Sequence, residues 1–248
     1  APKLGFKLGF VFGLGWFGAG ISWVHVSIAD FGGLPLIGSI ALMTLLSAYL
    51  ALFPALASYT VTKYFSIKNW PLALPFIWLI FEWIRGWFLT GFPWLSLGYS
   101  QTESPLSGWF PVIGEFGVSA LLVFLCSVLA LILFNKRWKT SFVIVFSFLL
   151  SGILLNQYQW AKPTGETVKI AMVQGNIEQA LRWTPEQDQP TMDKYRNMTN
   201  AHWSNDVIIW PEAAIPRLEP IATEYLQQID LLAAQNNTGL ITGIVNYN

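Results

Sequence analysis

Asp206-Val-Ile-Ile-Trp-Pro-Glu212 has the composition of a short strand that leads into an acidic residue. Its apolar middle is β-prone, and Pro211 ends the strand because proline cannot donate a hydrogen bond within a central ladder. α/β folds place binding and catalytic groups just beyond the carboxyl ends of their strands. We therefore predict that Glu212 is a catalytic candidate on a loop at the edge of a sheet. The alternative is an ordinary surface glutamate in a turn.

The sequence on either side of this strand predicts a β-α-β-α-β order. Val168–Val173 and Leu240–Val245 are the other two predicted strands. Residues at helical spacing predict one helix before the central strand and one after it: Met192, Tyr195, Thr199 and Trp203, then Tyr225, Leu226, Ile229, Leu232 and Ala233. Asn236-Asn-Thr-Gly239 is expected to end the second helix. This order favours a largely parallel sheet with covering helices, and the sheet is expected to be incomplete because its third strand reaches the last residues.

Composition divides the chain into two predicted domains. The protein has 248 residues, of which 54% are hydrophobic and 11% charged, whereas soluble domains carry about 25% charged residues. The sequence is nearly all apolar from Phe6 to Leu155 and has ordinary soluble composition from Ala161 to Asn248. We therefore predict a multi-pass α-helical membrane domain at 1–160, followed by an incomplete α/β domain at 161–248.

Charge and the scarcity of metal-binding residues exclude several classes of function. The formal net charge is zero and no basic stripe is present, so a nucleic-acid partner has no electrostatic support. The single cysteine, Cys126, cannot form an intrachain disulfide, and the two histidines, His25 and His202, are far apart in sequence. We expect neither a metal site nor a cofactor. The chain opens at Ala1 without a methionine, and we expect it to begin part-way through a longer protein.

Five stretches approach the roughly 20 apolar residues that cross a bilayer. They are Phe6–Ile28, Leu34–Val61, Trp70–Leu89, Val112–Phe134 and the shorter Phe142–Tyr158. The basic residues cluster in alternate connections: Lys3, Lys7, Lys63, Lys68, Lys136, Arg137 and Lys139. With five spans these connections all fall on one side, which the positive-inside rule makes cytoplasmic. The soluble domain is then expected outside the cytoplasm.

Two features of the first and fourth spans are interpreted as structural. Gly5, Gly9 and Gly13 recur every fourth residue, and Gly13-Leu-Gly-Trp-Phe-Gly18 matches the pattern G-x-G-x-x-G. A dinucleotide loop needs a preceding strand in a soluble fold, so we favour close helix packing over cofactor binding. Cys126 lies in an apolar run, where the thiolate is disfavoured and the thiol is expected to be inert.

Two other features of the membrane domain allow both a functional and a structural interpretation. Glu82 and Arg85 are three residues apart in the third span. They are either a mutual ion pair or a site in which Arg85 holds a phosphate while Glu82 orients it. The connection Thr90–Pro111 is rich in aromatic residues, which form either an interfacial belt or the apolar wall of a lipid cleft.

Several motifs together resemble the apolipoprotein N-acyltransferase family. In the soluble half these are Val173-Gln-Gly-Asn-Ile177 with Gln179 and Trp183, Ile208-Ile-Trp-Pro-Glu-Ala-Ala-Ile-Pro216, and Ile241-Thr-Gly-Ile-Val245. In the membrane half they are Ser22-Trp-Val-His-Val-Ser-Ile-Ala29, Phe31-Gly-Gly33, Glu82-Trp-Ile-Arg-Gly-Trp87, Thr90-Gly-Phe-Pro-Trp-Leu95 and Gly98-Tyr-Ser-Gln101. The resemblance spans essentially the whole chain, and its Gly-Phe-Pro-Trp and Trp-Pro-Glu runs are specific in combination.

The resemblance implies a multi-pass enzyme of the bacterial inner membrane with a nitrilase-like (αββα sandwich) domain in the periplasm. Its Glu-Lys-Cys triad takes an acyl chain from a phospholipid as a thioester and passes it to the N-terminal diacylglyceryl-cysteine of an apolipoprotein. Glu212 would be the general base. Trp183 and Gln179 would contact substrate at the opening of the site. Arg85, Phe92 and Trp94 would face the lipid cleft.

The resemblance also implies that the family's lysine and nucleophilic cysteine lie beyond residue 248. Cys126 does not match the family's cysteine motif, so we expect residues 1–248 alone to be inactive. Two other classes remain open from the residues. One is a membrane transporter with a soluble sensor domain, which would use Glu82 and Arg85 as pathway charges. The other is a membrane-tethered amidase that acts on a small amide.

Overall fold

The computed structural model describes residues 1–133, 138–163 and 165–246. Lys136 and Arg137, which belong to a predicted basic connection, lie outside the described residues. The chain divides into two compact units, Ala1–Lys162 and Pro163–Asn248.

The first unit is helical. Its α-helices are α1 (Pro2–Gly20), α2 (Val24–Asp30), α3 (Leu36–Tyr64), α4 (Trp70–Arg85), α5 (Phe110–Ala130) and α6 (Trp138–Asn156). Between α4 and α5 the chain forms only short 3₁₀ turns, at Phe88–Thr90, Gly98–Gln101 and Pro105–Trp109. The prediction of a helical membrane domain is therefore confirmed in its coarse form.

The described residues contain fewer full spans than the five predicted. Three segments are long and apolar enough to cross a membrane: Leu36–Tyr64, Pro105–Ala130 and Trp138–Asn156. The pair α1 and α2, bent by 54°, makes a fourth if it is counted as one span. The third predicted span corresponds to α4, which has 16 residues and is about 24 Å long at 1.5 Å per residue. It ends at Arg85, before the predicted end at Leu89, because the backbone leaves helical geometry at Trp87, where φ is −136°.

Close packing of α1 on α3 explains the glycine repeat of the first helix. A Cβ atom on Gly5 would lie 2.4 Å from Oγ1 of Thr62, and one on Gly9 would lie 2.5 Å from the carbonyl oxygen of Pro54. A Cβ atom on Gly13 would lie 2.7 Å from Cα of Ala51. The interpretation of this repeat as helix packing is confirmed, since the backbones approach to a distance that only glycine permits.

Replacing Gly9 by alanine is expected to destabilise the membrane unit by about 1–3 kcal/mol, the usual cost of overpacking a filled contact. The added methyl group would meet backbone atoms of α3, which cannot rotate away as a side chain can. Gly15→Ala on the same helix is the matched control, because nothing lies within 4 Å of its Cβ position. This control should be neutral or stabilising by up to about 1 kcal/mol. Unfolding in detergent micelles measures both, and equal behaviour of the two variants would contradict the packing account.

A second backbone contact between glycines, which the sequence analysis did not predict, joins the turn before α5 to α6. A Cβ atom on Gly108 would lie 2.0 Å from the carbonyl oxygen of Gly152, and one on Gly152 would lie 2.1 Å from that of Pro105. The indole of Trp109 donates a hydrogen bond to the carbonyl of Phe148 across the same contact, at 3.2 Å. Neither glycine belongs to a regular repeat, so their partnership has no signal in the sequence.

The second unit has a small parallel sheet. Its elements are β1 (Ile170–Met172), α7 (Pro185–Thr199), β2 (Val207–Ile209), β3 (Ile215–Leu218), α8 (Glu219–Gln235), β4 (Gly239–Ile241) and β5 (Ile244–Val245). Strand β2 lies in the centre of a three-stranded sheet of order β1-β2-β4, and both of its pairings are parallel. Strands β3 and β5 form a separate parallel pair. The predicted parallel sheet and its two helices are therefore present.

Among the described residues, α7 and α8 cover one face of the three-stranded sheet. Its inward side chains, among them Ala171, Val173 and Ile208, share a core with buried residues of α7 and α8. The hydroxyl of Tyr225 on α8 donates to the carbonyl of Met192 on α7 within this core, at 2.8 Å, and burial raises the pKa of Tyr225. On the opposite face Met172 is 84% exposed, and Ile170 and Ile241 are also exposed.

Two predictions about the strands need correction. The predicted third strand, Leu240–Val245, is two short strands in different sheets, because the strand is interrupted at Thr242 and Gly243. Strand β3 was not predicted at all, since Pro216 within it signals a break rather than a strand. The predicted helix face of α7 is buried at Met192, Tyr195 and Thr199, but α7 ends at Thr199, so the fourth predicted residue, Trp203, lies beyond the helix.

Candidate functional site

A hollow of about 540 Å³ opens at the carboxyl ends of β1 and β2. It is lined by Met172, Val173, Gln174, Asn176, Ile177, Arg182, Tyr195, Ile209, Trp210 and Pro211. The loop after β1 turns back at Asn176, whose φ of +48° is tolerated by asparagine better than by most residues. The hollow therefore lies where parallel strands usually present functional groups.

Two aromatic residues in the wall of this hollow, Tyr195 and Trp210, pack against each other. The rings of Tyr195 and Trp210 lie 5.5 Å apart between centroids, and the indole of Trp210 donates to Oγ1 of Thr199 at 2.8 Å. Gly175 lies directly against Tyr195, because a Cβ atom there would be 2.6 Å from the tyrosine ring. The sequence analysis assigned Tyr195 and Thr199 only to a helix face, so their role under the strand ends is a finding of the tertiary structure.

Glu212 lies in a turn one residue beyond the hollow. Strand β2 ends at Ile209, Pro211 lines the hollow, and Glu212 is exposed. Its main chain is in close contact with Gly243 in the turn between β4 and β5, where a Cβ atom would be 2.1 Å from the Glu212 carbonyl oxygen. Two segments that are thirty-one residues apart in sequence therefore position the acidic residue together.

Gly243→Ala is expected to lower the unfolding free energy of this unit by about 1–3 kcal/mol, because the new methyl group would overlap the main chain of Glu212. Gly239→Ala is the matched control, since its nearest atoms would lie at 3.6 and 3.7 Å, an ordinary contact distance. Chemical denaturation measures both variants. An equal loss in the two would mean that Gly243 does not support the Glu212 turn.

Gln179 and Trp183 lie on the turn between β1 and α7. Both side chains are exposed, and Trp183 is 55% accessible. Neither lines the hollow, but their neighbour Arg182 does. Arg182 is a cation at the strand ends that the sequence analysis did not select, although it lies within the motif Leu181-Arg-Trp183.

A buried polar centre occupies the first unit at the end of α4. Arg85 and Glu82 are 4% and 5% exposed, with 3.8 Å between Nη2 of Arg85 and Oε1 of Glu82. Nη1 of Arg85 donates to the carbonyls of Phe92 and Trp94, and Oε1 of Glu82 accepts from the Leu97 amide at 3.0 Å. The arrangement includes the ion pair that the sequence suggested, and it adds hydrogen bonds from both residues to the segment 92–97.

The chain from Leu89 to Leu95, which leads into and includes part of the segment 92–97, has an unusual backbone. Leu89, Thr90 and Leu95 have φ angles of 50°, 72° and 58°, and each such non-glycine residue costs on the order of 1–3 kcal/mol. Gly91 also has a positive φ, and a Cβ atom there would be 2.1 Å from the Gly86 carbonyl. Phe92 is partly buried, whereas Trp94 is 55% exposed. The hydrogen bonds of Arg85 and Glu82 therefore stabilise a conformation that the chain would not adopt unaided.

A second carboxylate of the first unit, that of Glu115, also forms hydrogen bonds with serine side chains. Glu115 accepts hydrogen bonds from Ser96 and Ser119, the latter at 3.4 Å, and Ser119 in turn accepts from the Gly98 amide at 2.7 Å. Glu115 follows Gly114, where α5 bends at a φ of +67°. The adjacent glycine and glutamate at the beginning of an apolar run are the only signal of this site in the sequence. Among the described residues, no group of three or more His, Cys, Asp or Glu side chains is placed to hold a metal ion.

The two units define a membrane protein with apolar helices, followed in sequence by an α/β unit that carries an acidic residue at the end of a parallel strand. Residues 1–128, more than half of the chain, match the family model described as the apolipoprotein N-acyltransferase N-terminal domain. The chain belongs to the apolipoprotein N-acyltransferase family.

Similar proteins with this name extend the match over nearly the whole chain. The chain is 45% identical over 245 residues to the apolipoprotein N-acyltransferase of Vibrio cholerae, covering 96% of this chain and 48% of that protein. It is 44% identical over 250 residues to that of Shewanella oneidensis, covering 99% and 48%. For Coxiella burnetii the identity is 37% over 254 residues, covering 99% and 52%. The chain thus spans about half the length of the curated relatives it matches.

Proposed function

We propose that the protein transfers an acyl chain from a phospholipid, through a cysteine thioester, to the N-terminal diacylglyceryl-cysteine of lipoproteins. The observation that carries this proposal is the family match over residues 1–128, together with relatives named apolipoprotein N-acyltransferase along the rest of the chain. The lysine and the nucleophilic cysteine of the reaction are assigned to sequence beyond residue 248. Residues 1–248 alone are expected not to turn over.

Glu212 acts as the general base in this proposal. It takes the proton of the thiol, the thiolate attacks the ester carbonyl, and the lysophospholipid leaves as an alcohol that carries the proton. The amine of the acceptor then attacks the thioester, and its proton passes through Glu212 to the departing thiolate. The exposed position of Glu212 after β2, braced by Gly243, supports this role because a base must reach both the thiol and the amine.

The remaining proposed contacts belong to the two substrates. Trp183 and Gln179 contact substrate at the opening of the site, as their exposure on one turn allows. Trp94 presents its exposed ring to the lipid acyl chains. Phe92 and Arg85 support Trp94 from inside the protein, because Arg85 donates hydrogen bonds to the carbonyls of Phe92 and Trp94. A phosphate contact by Arg85 itself would require its buried guanidinium to reach the lipid.

The second unit is proposed to be part of a nitrilase-like αββα sandwich. Its sheet has α7 and α8 on one face and an exposed apolar face that includes Met172. A second sheet packed against that face would complete a sandwich, because sheets bury their apolar faces against one another. We further propose that the unit lies in the periplasm and the helices in the inner membrane. This orientation counts α4 as a span together with α1–α2, α3, α5 and α6. Lys3, Lys7 and Lys68 then lie on one side, which the positive-inside rule makes cytoplasmic.

The proposed reaction is tested with the full-length protein in membranes. A phospholipid labelled in its acyl chain is incubated with a diacylated peptide that begins with cysteine, and transfer of the label to the peptide amine is expected. Release of ammonia from a small amide without acyl transfer would favour the amidase instead. No transfer and no amide hydrolysis, in a folded preparation that contains the downstream cysteine, would contradict the proposal.

A further inference from the structure

A pocket of about 550 Å³ opens on the first unit, between the start of α4, the end of α5 and the start of α6. This volume lies within the range of roughly 300–1,000 Å³ that is usual for small-molecule sites. The polar centre around Arg85 lies at the opposite end of α4, which has 16 residues and separates the two places by about 24 Å. The pocket is therefore distinct from the site around Arg85.

The wall of this pocket has an apolar part and a polar part. Its described apolar residues are Pro71, Phe124, Val128, Leu131 and Ile144, and its described polar residues are Lys68, Thr140 and Ser141. Lys68 is exposed and forms no ion pair with another described residue. A ligand that satisfies both parts carries hydrocarbon together with an anionic group, because apolar walls favour hydrocarbon and lysine binds phosphate as a point charge.

Two tryptophans indicate how deep in the membrane the pocket lies. Trp70 begins α4 and Trp138 begins α6, and tryptophan is enriched where helices cross the interface between membrane and water. Lys68 precedes Trp70 by two residues, and Thr140 follows Trp138 by two. Ile144 lies one turn further into α6. The polar part of the pocket is therefore at the level of lipid headgroups, and its apolar part extends toward the acyl chains.

The charges of the first unit are divided between the two ends of its helices. Lys63 and Lys68 lie near the end of α3, and Lys139 lies at the start of α6. The sequence contains no Asp or Glu at 63–72 or at 130–144. The acidic residues of this unit lie before α3, in the last turn of α4, and before or at the start of α5: Asp30, Glu82, Glu103 and Glu115. The end of the unit that holds the pocket therefore favours an anionic partner.

We propose that this pocket binds one anionic phospholipid, with its phosphate beside Lys68 and the hydroxyls of Thr140 and Ser141, and its acyl chains along the apolar wall. Hydroxyl groups can donate hydrogen bonds to phosphate oxygens, and basic pockets between membrane helices bind anionic headgroups. A soluble phosphate would leave the apolar wall exposed to water. The bound lipid joins the start of α4 to the start of α6 and stabilises that arrangement. This role does not rest on the acyl-transfer proposal.

Thermal unfolding of the full-length protein in detergent micelles tests the proposal without a measurement of activity. Added phosphatidylglycerol, which is anionic, should raise the Tm more than phosphatidylethanolamine, which has no net charge. Lys68→Gln should weaken the apparent affinity for phosphatidylglycerol about fivefold, the usual contribution of one lysine near a membrane surface. Without added lipid, the variant should unfold at the temperature of the unaltered protein. Equal stabilisation by the two lipids would overturn the proposal.

Two further variants separate a seated lipid from a general attraction to negative charge. Lys7→Gln removes the same charge from an exposed position of α1 that does not line the pocket, and it should bind phosphatidylglycerol as the unaltered protein does. Thr140→Trp keeps every charge but places a bulky ring at the polar part of the pocket, so it should lose the stabilisation. Equal losses in Lys7→Gln and Lys68→Gln, or undiminished binding by Thr140→Trp, would contradict a lipid in this pocket.

An experimental density map of the full-length protein in nanodiscs that contain phosphatidylglycerol locates the lipid directly. Elongated density is expected along the apolar wall, with its head beside Lys68, and it should be absent from the map of Thr140→Trp. A pocket filled by another segment of the protein's own chain would overturn the proposal. So would a pocket without lipid density in a map that resolves other lipids around the helices.

Discussion

Glu212→Gln in the full-length protein is expected to lower the rate of acyl transfer by about 10²–10⁴-fold, the contribution that a general base usually makes. Glutamine keeps the size and the hydrogen-bonding reach of glutamate but cannot accept a proton. Both half-reactions should slow, because the base is proposed to act first on the thiol and then on the amine. Transfer of labelled acyl chain to a diacylated peptide, and accumulation of the thioester, would measure the two halves separately.

Glu224→Gln is the matched control for this variant. Glu224 is an exposed glutamate on α8, away from the strand ends, and its replacement should leave transfer at the level of the unaltered protein. Circular dichroism should report the same secondary structure for both variants. Transfer by Glu212→Gln at an undiminished rate would refute the proposed base, while the family membership of the chain would stand.

Arg85→Met is expected to destabilise the membrane unit by about 3–5 kcal/mol, the cost of removing one partner from a buried ion pair. The variant would leave the Glu82 carboxylate buried without its counter-charge and would deprive the carbonyls of Phe92 and Trp94 of their donor. The strained backbone at Leu89, Thr90 and Leu95 should then relax. Denaturation in detergent micelles, followed by tryptophan fluorescence, measures the loss.

Two comparisons separate this effect from a general loss of positive charge. Lys68→Met removes a cation from an exposed position of the same unit and should cost less than about 1 kcal/mol. The double variant Glu82→Gln with Arg85→Met should be less destabilised than the sum of the two single variants, because no buried charge is left unpaired. A cost for Arg85→Met as small as that for Lys68→Met would contradict the buried-pair account.

Periodic features of the chain were predictable from its sequence. The glycine repeat of α1 predicts a close helix contact because residues four apart lie on one face of a helix. The buried faces of α7 and α8 follow from the same periodicity, and the apolar run before Pro211 predicts β2 together with its end. Each of these features depends on residues that are close together in the chain. The spacing of those residues is therefore enough to predict it.

The arrangement around the sites depends on contacts that leave no periodic signal. Gly243 was predicted to lie inside a strand, yet it lies between β4 and β5, against the main chain of Glu212. The sequence left Arg85 and Glu82 as either an ion pair or a phosphate site, and it did not predict their hydrogen bonds to backbone atoms of Phe92, Trp94 and Leu97. A backbone carbonyl or amide is the same for every residue type, so the sequence does not show which of them a side chain will reach.

From its sequence alone, this protein is divided into an apolar helical part and an α/β part, and Glu212 is placed after a central strand. Those results follow from composition and from spacing within single elements. Only the tertiary structure determines what stabilises the Glu212 turn and which backbone groups Arg85 and Glu82 bind in the segment 92–97. The reason is physical: these features arise where distant segments meet, and the free energy of such contacts depends on distances that no local pattern encodes.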